Sequence, residues 1–275
     1  MDVPALLKEF NIHPNRSLGQ NFLRNDTTAD FIVESALPSG KDTFLEVGPG
    51  LGILTSRLLD AGSKVIAVEK DAKIANSMVK YLEEPKDLKL IKEDVLDLDL
   101  GSLKFNKVIS NLPFQISSPF TFKMLEARFD LGVVTYQLEF ARRLTADVGQ
   151  KDYSRLTVMA YYKAEMKILR RIKAGAFYPP PKVDAAVVEI KPRKKPPFNL
   201  TDEEFFFKMV RELFNHRRKK IRNSLKGAYK VLGKSVDEKD YVGAVKELQW
   251  SDKRPERLRP EELGEMANEL LKNIN

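Results

Sequence analysis

Short apolar runs alternate with longer mixed stretches over the first 190 residues of the chain. Apolar runs of about four to eight residues between turn residues indicate buried strands, and the mixed stretches between them indicate helices. The predicted strands cover residues 43–47, 64–70, 88–95, 107–112, 131–138, 165–172 and 185–190. Repeated strand–helix units predict an α/β fold with a parallel sheet, and the last two strands are candidates for an antiparallel pair.

Local signals mark where several of the helices begin or end. Asp71 is predicted to cap a helix over residues 71–84, because its carboxylate can accept from the first free N–H groups. Pro119 suits the first turn of a helix over residues 117–127, and Gly62 is expected to end an earlier helix. These signals place a helix shortly after each of the corresponding strands.

The segment KPRKKPPFN (191–199) interrupts this alternation. Its three prolines and four basic residues indicate a stiff linker. Only helical signals follow it, beginning with a predicted capping box that pairs Thr201 as the cap with Glu204. We therefore expect one domain over residues 1–192 and a small all-helical domain over residues 196–275.

Composition limits the classes of protein that remain. The chain is 43% hydrophobic and 31% charged, which is typical of a globular protein. It has no cysteine, so disulfides, thiolate metal sites and cysteine nucleophiles are excluded and a cytoplasmic location is expected. No apolar run reaches the roughly 18 residues of a membrane span, and no acidic or histidine cluster has metal-ligand spacing, so we predict neither a membrane association nor a metal.

The net charge of +8 is concentrated in one place. Residues 208–230 contain nine Lys or Arg and one acid, so the rest of the chain sums to zero. A local basic patch predicts a polyanionic partner such as nucleic acid, although a solvated helical face is the plainer alternative. The candidate phosphate contacts are Arg217, Arg218, Lys219, Lys220 and Arg222.

A glycine-rich loop follows the first predicted strand. It reads E-V-G-P-G-L-G over residues 46–52, with Gly48 and Gly50 placed so that the backbone can approach a ligand closely. The dinucleotide fingerprint is G-x-G-x-x-G, and the spacing here is shorter. This difference disfavours a pyrophosphate ligand and therefore an NAD-dependent dehydrogenase.

The next two predicted strands each end in an acidic residue. Glu69 can accept hydrogen bonds from both ribose hydroxyls, and Asp94 can accept one from an adenine amino group while Val95 packs on the ring. Ligands of open α/β sheets bind at the carboxyl ends of the strands, where these residues are expected to meet. A nucleoside without phosphates suits this set, and S-adenosylmethionine is such a nucleoside.

The fourth strand runs into the tetrapeptide N-L-P-F at residues 111–114. An exocyclic adenine amine is a poor nucleophile, because its lone pair is delocalised into the ring. Two acceptors on its N–H groups, the Asn111 side-chain oxygen and the Leu112 carbonyl, would aim that lone pair at a methyl group. Pro113 sets the direction of the Leu112 carbonyl, and the Phe114 ring can stack on the base. Asn and Pro are also common in turns, which is the plainer alternative for this tetrapeptide.

At this point the sequence resembles the small-subunit ribosomal RNA adenine N6,N6-dimethyltransferase family over nearly its whole length. The segments that match the family's motifs are SLGQNFLRN (17–25), EVGPGLGILT (46–55), VEKD (68–71), EDVL (93–96), NLPF (111–114), AFYPPPKVDAAVVEI (176–190) and FNHRRKKIRNSL (214–225). The resemblance implies a Rossmann-like S-adenosylmethionine-dependent methyltransferase sheet with a small helical C-terminal domain.

The resemblance also implies roles for residues that the spacing does not single out. Gln20, Asn21 and Leu23 lie in the motif that contacts S-adenosylmethionine, and Lys70 lies in a second cofactor motif. Phe177 is expected to be the second ring that sandwiches the target adenine with Phe114. The implied substrate is a pair of adjacent adenosines near the 3′ end of small-subunit ribosomal RNA, each methylated twice by a monomer acting on a pre-ribosomal 30S-type particle.

Two positions depart from the family pattern, and three alternatives stay open. Phe114 replaces the usual tyrosine, and the third-strand motif reads E-D-V-L instead of G-D-A-L while retaining Asp94. The alternatives are a macrolide-resistance methyltransferase acting on large-subunit RNA, a DNA adenine methyltransferase, and a non-catalytic RNA-binding assembly factor.

Overall fold

The computed structural model describes residues 1–15, 19–233 and 236–274. The chain divides into two compact units, of which the first comprises Met1–Ala141 with Glu165–Pro192 and the second comprises Arg142–Ala164 with Arg193–Asn275. The predicted first domain, residues 1–192, thus also contains a stretch that the structure groups with the second unit. The separate roles of the two predicted domains stay a prediction.

The elements of the described residues follow the predicted alternation. The strands are β1 (Phe22–Leu23), β2 (Thr43–Val47), β3 (Lys64–Val68), β4 (Leu88–Ile91), β5 (Lys107–Asn111), β6 (Leu131–Gln137), β7 (Ala164–Ile172), β8 (Phe177–Tyr178) and β9 (Ala185–Pro192). The α-helices are α1 (Val3–Glu9), α2 (Asp26–Ser35), α3 (Ile53–Asp60), α4 (Ala72–Tyr81), α5 (Ser117–Glu126), α6 (Leu138–Leu144), α7 (Arg155–Lys163), α8 (Glu203–Asn215), α9 (Ile221–Gly227), α10 (Tyr229–Leu232), α11 (Glu238–Glu247) and α12 (Pro260–Asn273).

Seven of these strands form one mixed sheet in the order β4-β3-β2-β5-β6-β9-β7. The pairs from β4 through to β6 are parallel, and β9 pairs antiparallel with β6. The chain moves from β2 toward one edge through β3 and β4, then returns to add β5 on the other side. The order therefore reverses between β2 and β5, and ligands of open α/β sheets bind at such a reversal.

The strands form because their side chains are apolar on both faces. In β2, Phe44, Leu45 and Val47 are almost completely buried, as expected for a strand covered on both sides. Asp71 caps α4 as predicted, since its side chain accepts from the Lys73 and Ile74 amides. Gly62 follows α3 with φ of +78°, a left-handed conformation that ends the helix.

Two strands end earlier than their apolar patterns predict. β3 ends at Val68 and β4 at Ile91, so Glu69 and Asp94 lie in the loops that follow. The Glu69 amide donates to the Ile91 carbonyl at 3.0 Å, directly after the last paired residues of the two strands. Glu69 and Asp94 therefore lie beyond the paired residues of β3 and β4, at the carboxyl ends of the two strands.

Three short elements near the N-terminus were not predicted. Helices α1 and α2 are capped by Asp2 and Asn25, whose side chains accept from the Ala5 and Thr28 amides. The two-residue strand β1 pairs antiparallel with β8 outside the main sheet. Because β1 is so short, its residues carry no periodic signal that sequence patterns could detect.

The second unit has its own hydrophobic core. Phe206, Met209, Val210 and Leu213 of α8 are fully buried in it, and Phe205 is nearly so. The three consecutive phenylalanines at the start of α8 are therefore core or packed on the core and do not form an exposed stacking surface.

The predicted cap of α8 is wrong by one residue. Asp202 is the N-cap and its side chain accepts from the Phe205 amide at 2.9 Å, whereas the Thr201 amide donates to the Asn268 side chain. A carboxylate is an N-cap acceptor as good as a hydroxyl, and the contact with Asn268 holds Thr201 outside the helix. Helix packing within this unit therefore decided between two adjacent candidates.

We expect Asp202→Ala to lower the free energy of unfolding by about 1 kcal/mol, because the first turn of α8 loses its acceptor. Thr201→Ala is the matched control and should change stability by only a few tenths of a kcal/mol, since its backbone contact with Asn268 is kept. Urea denaturation of both variants measures the difference. A larger effect for Thr201→Ala would return the cap to Thr201.

Candidate active site

A cavity of about 260 Å³ lies in the first unit, at the point where the strand order reverses. Its walls come from the loops after β2, β3, β4 and β5 and from the N-terminal segment. All ten residues predicted as cofactor contacts line it: Gln20, Asn21, Leu23, Gly48, Gly50, Glu69, Lys70, Asp94, Val95 and Asn111. Leu112, Pro113 and Phe114 of the predicted catalytic tetrapeptide line the same cavity.

The glycine loop is packed too tightly for side chains. Gly48 has φ of +65°, and a Cβ there would lie 2.9 Å from Cδ of Pro113. Gly50 has φ of +59°, and a Cβ there would lie 3.0 Å from the Phe22 ring. The loop therefore needs glycine at both positions, and the missing side chains let it contact the catalytic turn on one side and β1 on the other.

The two acidic residues differ in their surroundings. Burial raises the pKa of Glu69, whose Oε1 accepts from the Asp71 amide at 3.0 Å. Asp94 accepts from Lys70 Nζ at 2.8 Å and from the Leu96 amide at 2.9 Å, and the bond from Lys70 is the main reason that its pKa is lowered. Asp94 is thus held as a carboxylate, which can only accept, as recognition of an adenine amino group requires.

The predicted cofactor residue Lys70 makes its contact with Asp94. Its side chain is 63% exposed, so this ion pair is open to solvent and weak. In this structure Lys70 is paired with Asp94, and its predicted contact with the cofactor stays a prediction.

The N-terminal segment lies over the cavity and is held by its own turn. Gln20 accepts from the Asn15 amide at 2.7 Å and donates to Asp71 at 3.4 Å, while the Asn21 side chain donates to the Gly19 carbonyl at 3.0 Å. Leu23 is only 2% exposed. Ser17 and Leu18 of the same predicted motif lie outside the described residues.

A hydrogen bond shows how the side-chain amide of Asn111, the last residue of β5, is oriented. Its Nδ2 donates to the main-chain carbonyl of Asn21 at 3.0 Å. Only the NH₂ group can make this bond, so Oδ1 points away from Asn21, and it has no partner among the described residues. The Leu112 carbonyl that follows likewise receives no hydrogen bond from any described residue. Two neighbouring oxygens at the cavity wall are therefore available as acceptors.

The next two residues set the geometry of this turn. Pro113 has φ of −55° and ψ of 119°, which starts a short 3₁₀ turn over Phe114–Ile116. The Pro113 carbonyl accepts from the Ile116 amide at 3.1 Å, and this bond closes the turn. Phe114 is half-buried and is one of the residues that line the cavity.

Phe177 is not placed as the predicted second ring of a sandwich. It is 1% exposed, lies in the core of the first unit and does not line the cavity. Its ring meets Phe114 edge-on, with centroids 6.5 Å apart and an interplanar angle of 74°. Rings in this edge contact leave no space for a base between them. Phe177 is held in its position because β8 pairs with β1, where it lies opposite Leu23.

One titratable residue of the cavity was missed by the sequence reasoning. Glu46 is 1% exposed at the cavity wall, and its Oε2 accepts from the Thr55 hydroxyl at 2.7 Å. Burial raises its pKa to about 7, with a smaller contribution from the charge of Glu69. An acid inside an otherwise apolar predicted strand was the signal, since buried carboxylates are rare without a partner.

The five predicted RNA-binding cations have different environments within the second unit. Arg217 donates to the Lys151 and Tyr153 carbonyls at 2.7 and 3.1 Å, and Lys220 and Arg222 each contact Asp252 at 2.7 Å. Arg218 and Lys219 are exposed and have no acidic partner among the described residues. Lys220 and Arg222 remain 47% and 43% exposed despite their ion pairs, so the RNA contacts of all five cations stay a prediction.

Comparison with known proteins gives the family. The family model described as ribosomal RNA adenine dimethylase matches residues 11–253. The probable ribosomal RNA small subunit methyltransferase A of Methanosarcina acetivorans is 42% identical over 268 residues, which cover 98% of this chain and 97% of that protein. The chain belongs to the ribosomal RNA adenine dimethylase family.

Other relatives of this dimethylase agree. A protein of Thermococcus onnurineus with the same description is 40% identical over 270 residues, covering 98% of this chain and 97% of its own. The crystal structure of a dimethyladenosine transferase from Plasmodium falciparum has a TM-score of 0.77 at 28% identity and covers 92% of this chain and 98% of that one. The 23S rRNA methyltransferase ErmE has a TM-score of 0.69 at 28% identity, with coverages of 91% and 99%.

Family membership confirms the predicted activity, S-adenosylmethionine-dependent dimethylation of adenine in ribosomal RNA, and the Rossmann-like methyltransferase fold. It sets aside the dehydrogenase and the DNA methyltransferase. The cavity residues fit the methyl donor in their chemistry, since two glycines that exclude side chains border the cavity and two carboxylates that can accept from hydroxyl and amino groups, Glu69 and Asp94, line it.

Two further findings concern the dimethylase as the structure describes it. Among residues 1–15, 19–233 and 236–274, no group of three or more acidic, histidine or cysteine side chains is arranged to hold a metal ion. Within the same ranges, the helices are too short or too polar to cross a membrane.

The raised pKa of Glu46 predicts a pH-dependent stability. Below pH 4.5 the carboxyl is protonated in both states; between pH 4.5 and about 7 the unfolded chain releases the proton and the folded protein retains it, so stability falls as the pH rises. Glu46→Gln removes this loss. Urea denaturation without cofactor should show the stability of the variant, relative to the unmodified protein, rising by about 3 kcal/mol between pH 4.5 and 7.5. A constant difference would mean that Glu46 is ionised in the fold.

Proposed function

We propose that this dimethylase methylates the N6 amines of two adjacent adenosines near the 3′ end of small-subunit ribosomal RNA, each twice. We further propose that it acts as a cytoplasmic monomer on a pre-ribosomal 30S-type particle, where methylation accompanies subunit assembly. The observation that carries the proposal is the Asn111 side chain, whose Nδ2 is held by the Asn21 carbonyl so that Oδ1 remains available at the cavity wall.

The cavity residues divide the methyl donor between them in this proposal. Glu69 accepts from the ribose hydroxyls, and Asp94 accepts from the adenine amine while Val95 packs on its ring. Gln20, Asn21 and Leu23 cover the opposite side. When bound, S-adenosylmethionine supplies an electrophilic methyl group on a sulfonium.

Catalysis rests on two acceptors and no strong base. The Asn111 Oδ1 and the Leu112 carbonyl accept the two N6–H groups, and this draws the nitrogen lone pair out of conjugation. Acceptors of this kind match the positive charge that develops on nitrogen, and because the fold holds them in place they need no reorganisation during the reaction. The amine becomes acidic only after it has gained the methyl group, so its proton can then leave to water.

The aromatic pair has unequal roles in this proposal. Phe114 stacks on the target adenine, since it lines the cavity with its ring edge-on to Phe177. Phe177 supports the back of Phe114 in the position that the structure shows. A sandwich of the base between both rings requires Phe177 to leave its buried site when RNA binds.

The small subunit is favoured over the large subunit by sequence. The relatives at 40–42% identity are described as small-subunit methyltransferases, whereas the large-subunit enzyme ErmE is 28% identical. Incubation with labelled cofactor and either unmethylated 30S or 50S particles separates the two targets. Label on 30S particles, recovered as dimethyladenosine, supports the proposal; label on 50S particles alone contradicts it.

We expect Asn111→Ala to lower kcat by about 10²-fold or more, since loss of one preorganised transition-state hydrogen bond has effects of this size. Because Asn111 is also a predicted cofactor contact, calorimetric titration with S-adenosylmethionine measures any loss of cofactor affinity separately from the loss of kcat. Asn111→Asp keeps an acceptor but loses the bond to the Asn21 carbonyl, so its kcat should also fall. An unchanged kcat in both variants would remove Asn111 from the chemistry and would require another residue to accept from the N6 amine.

The exposed cations should control salt dependence. Replacing both Arg218 and Lys219 with Gln should reduce the slope of log affinity against log salt by roughly 1.4 to 1.8, since each phosphate contact contributes about 0.7 to 0.9. Lys239→Gln with Lys246→Gln is the matched control, because both lysines are exposed on α11 of the same unit. Equal slopes for the two double variants would place the RNA elsewhere.

A further inference from the structure

A second basic segment lies in the first unit, whereas the basic run over residues 208–230 lies in the second unit. Residues 167–184 contain five Lys or Arg (Lys167, Arg170, Arg171, Lys173 and Lys182) against one acid, Asp184, which is a net charge of +4. The segment comprises most of β7, then β8 and the loop that follows it. None of these cations is used by the cavity or by the proposed chemistry.

An exposed aromatic ring lies within this basic segment. Tyr178 is 37% exposed, next to the fully buried Phe177. In the β1–β8 pair Tyr178 is opposite Phe22 and Phe177 is opposite Leu23, and both Phe22 and Leu23 line the cofactor cavity. The Tyr178 ring is therefore partly exposed to solvent, and its strand is paired with two residues that line the cavity.

The cations near Tyr178 exceed the carboxylates available to them. Arg24 is exposed and is hydrogen-bonded to the turn that precedes β8. Its main-chain amide donates to the Ala176 carbonyl at 2.9 Å, and its Nε donates to the Gly175 carbonyl at 3.3 Å. Asp184 is shared by Arg171 at 2.6 Å and Lys173 at 3.6 Å, and Lys173 remains 77% exposed. Lys182 is exposed, with no acidic partner among the described residues. One carboxylate cannot neutralise four cations, so the surface around Tyr178 is positive.

We propose, as an extension of the function proposed above, that Tyr178 is a stacking platform for an unpaired RNA base that flanks the target adenosine. Arg24, Lys173 and Lys182 bind the phosphates of the same nucleotides. An adenine that enters the cavity must leave its own stack, and so its neighbours lose a stacking partner at the cavity mouth. Recognition of unpaired RNA combines aromatic stacking with a basic groove along the backbone, which is the combination found here.

The charge distribution favours RNA over other occupants of this surface. A protein that bound through apolar contacts would need a wider patch, whereas the exposed large apolar side chains of this loop are Tyr178 and Val183 only, among the described residues. Acidic protein segments carry no base to stack and are separated by the experiment below.

The test uses the full chain without cofactor, so that no methylation occurs. The probe is a single-stranded oligonucleotide of the small-subunit 3′ sequence with 2-aminopurine beside the target adenosine, whose fluorescence is quenched by stacking. Tyr178→Ala should weaken binding by roughly 5- to 150-fold and abolish the protein-dependent quench, while Tyr178→Phe retains both. Tyr81→Ala is the matched control. Tyr81 is 39% exposed, similar to Tyr178, but it is the last residue of α4 and lies outside the basic segment.

The cations are tested in the same assay. Replacing both Lys173 and Lys182 with Gln should lower the salt slope by roughly 1.4 and leave the quench of bound probe unchanged. Melting temperatures of all variants identify any that fail to fold, and Tyr178→Phe gives a second reading of the ring at the same position.

The outcomes separate this inference from the proposed function. Wild-type affinity and quench in Tyr178→Ala overturn the platform, as do equal losses in the Ala and Phe variants, because the hydroxyl and not the ring would then be the contact. Normal methylation of 30S particles by Tyr178→Ala with an unchanged KM for RNA would overturn the platform while leaving the methyltransferase assignment intact. Absence of methylation by the unmodified protein would overturn the proposed function first.

Discussion

The hydrogen bond from Asn111 Nδ2 to the Asn21 carbonyl is the interaction on which the site depends. It joins the end of a central strand to a segment 90 residues earlier in the chain. An amide side chain can present either its oxygen or its nitrogen, and this bond decides the matter by using the nitrogen. The oxygen, the group that our proposal needs to accept from an adenine amine, is left without a partner among the described residues. The N-terminal segment thus lines the cavity and also orients the side-chain amide that we propose to be catalytic.

Close packing at two glycines holds the glycine-rich loop against the N-L-P-F turn. Gly48 lies against Pro113, and Gly50 lies against Phe22 of β1, so both neighbours restrict the loop from opposite sides. Pro113 in turn starts the 3₁₀ turn that places Phe114. Cofactor recognition and target recognition are therefore not separate modules, since a shift of the loop would move the turn that presents the acceptors.

Much of this architecture is readable from patterns because it is local. The strands, the Asp71 cap and the acidic residues after β3 and β4 follow from apolar runs and turn chemistry, and all ten predicted cofactor positions line one cavity. Patterns are less informative where the outcome depends on distant residues. The α8 cap was wrong, because Asn268 holds Thr201 and Asp202 caps the helix. Phe177 is buried on a strand paired with β1, and Arg217, Lys220 and Arg222 have partners within the second unit, so their predicted contacts with RNA stay predictions.

The sequence by itself determined the seven strands of the main sheet, the cofactor loop, the N-L-P-F tetrapeptide and the excess of positive charge, because each is a property of neighbouring residues. Only the tertiary structure decided which atom of Asn111 is free, which cations are exposed, that burial raises the pKa of Glu46, and that Tyr178 and not Phe177 faces solvent. These are consequences of burial and of contacts between segments far apart in the chain. No local pattern encodes them, since the same residues in another packing would have other partners.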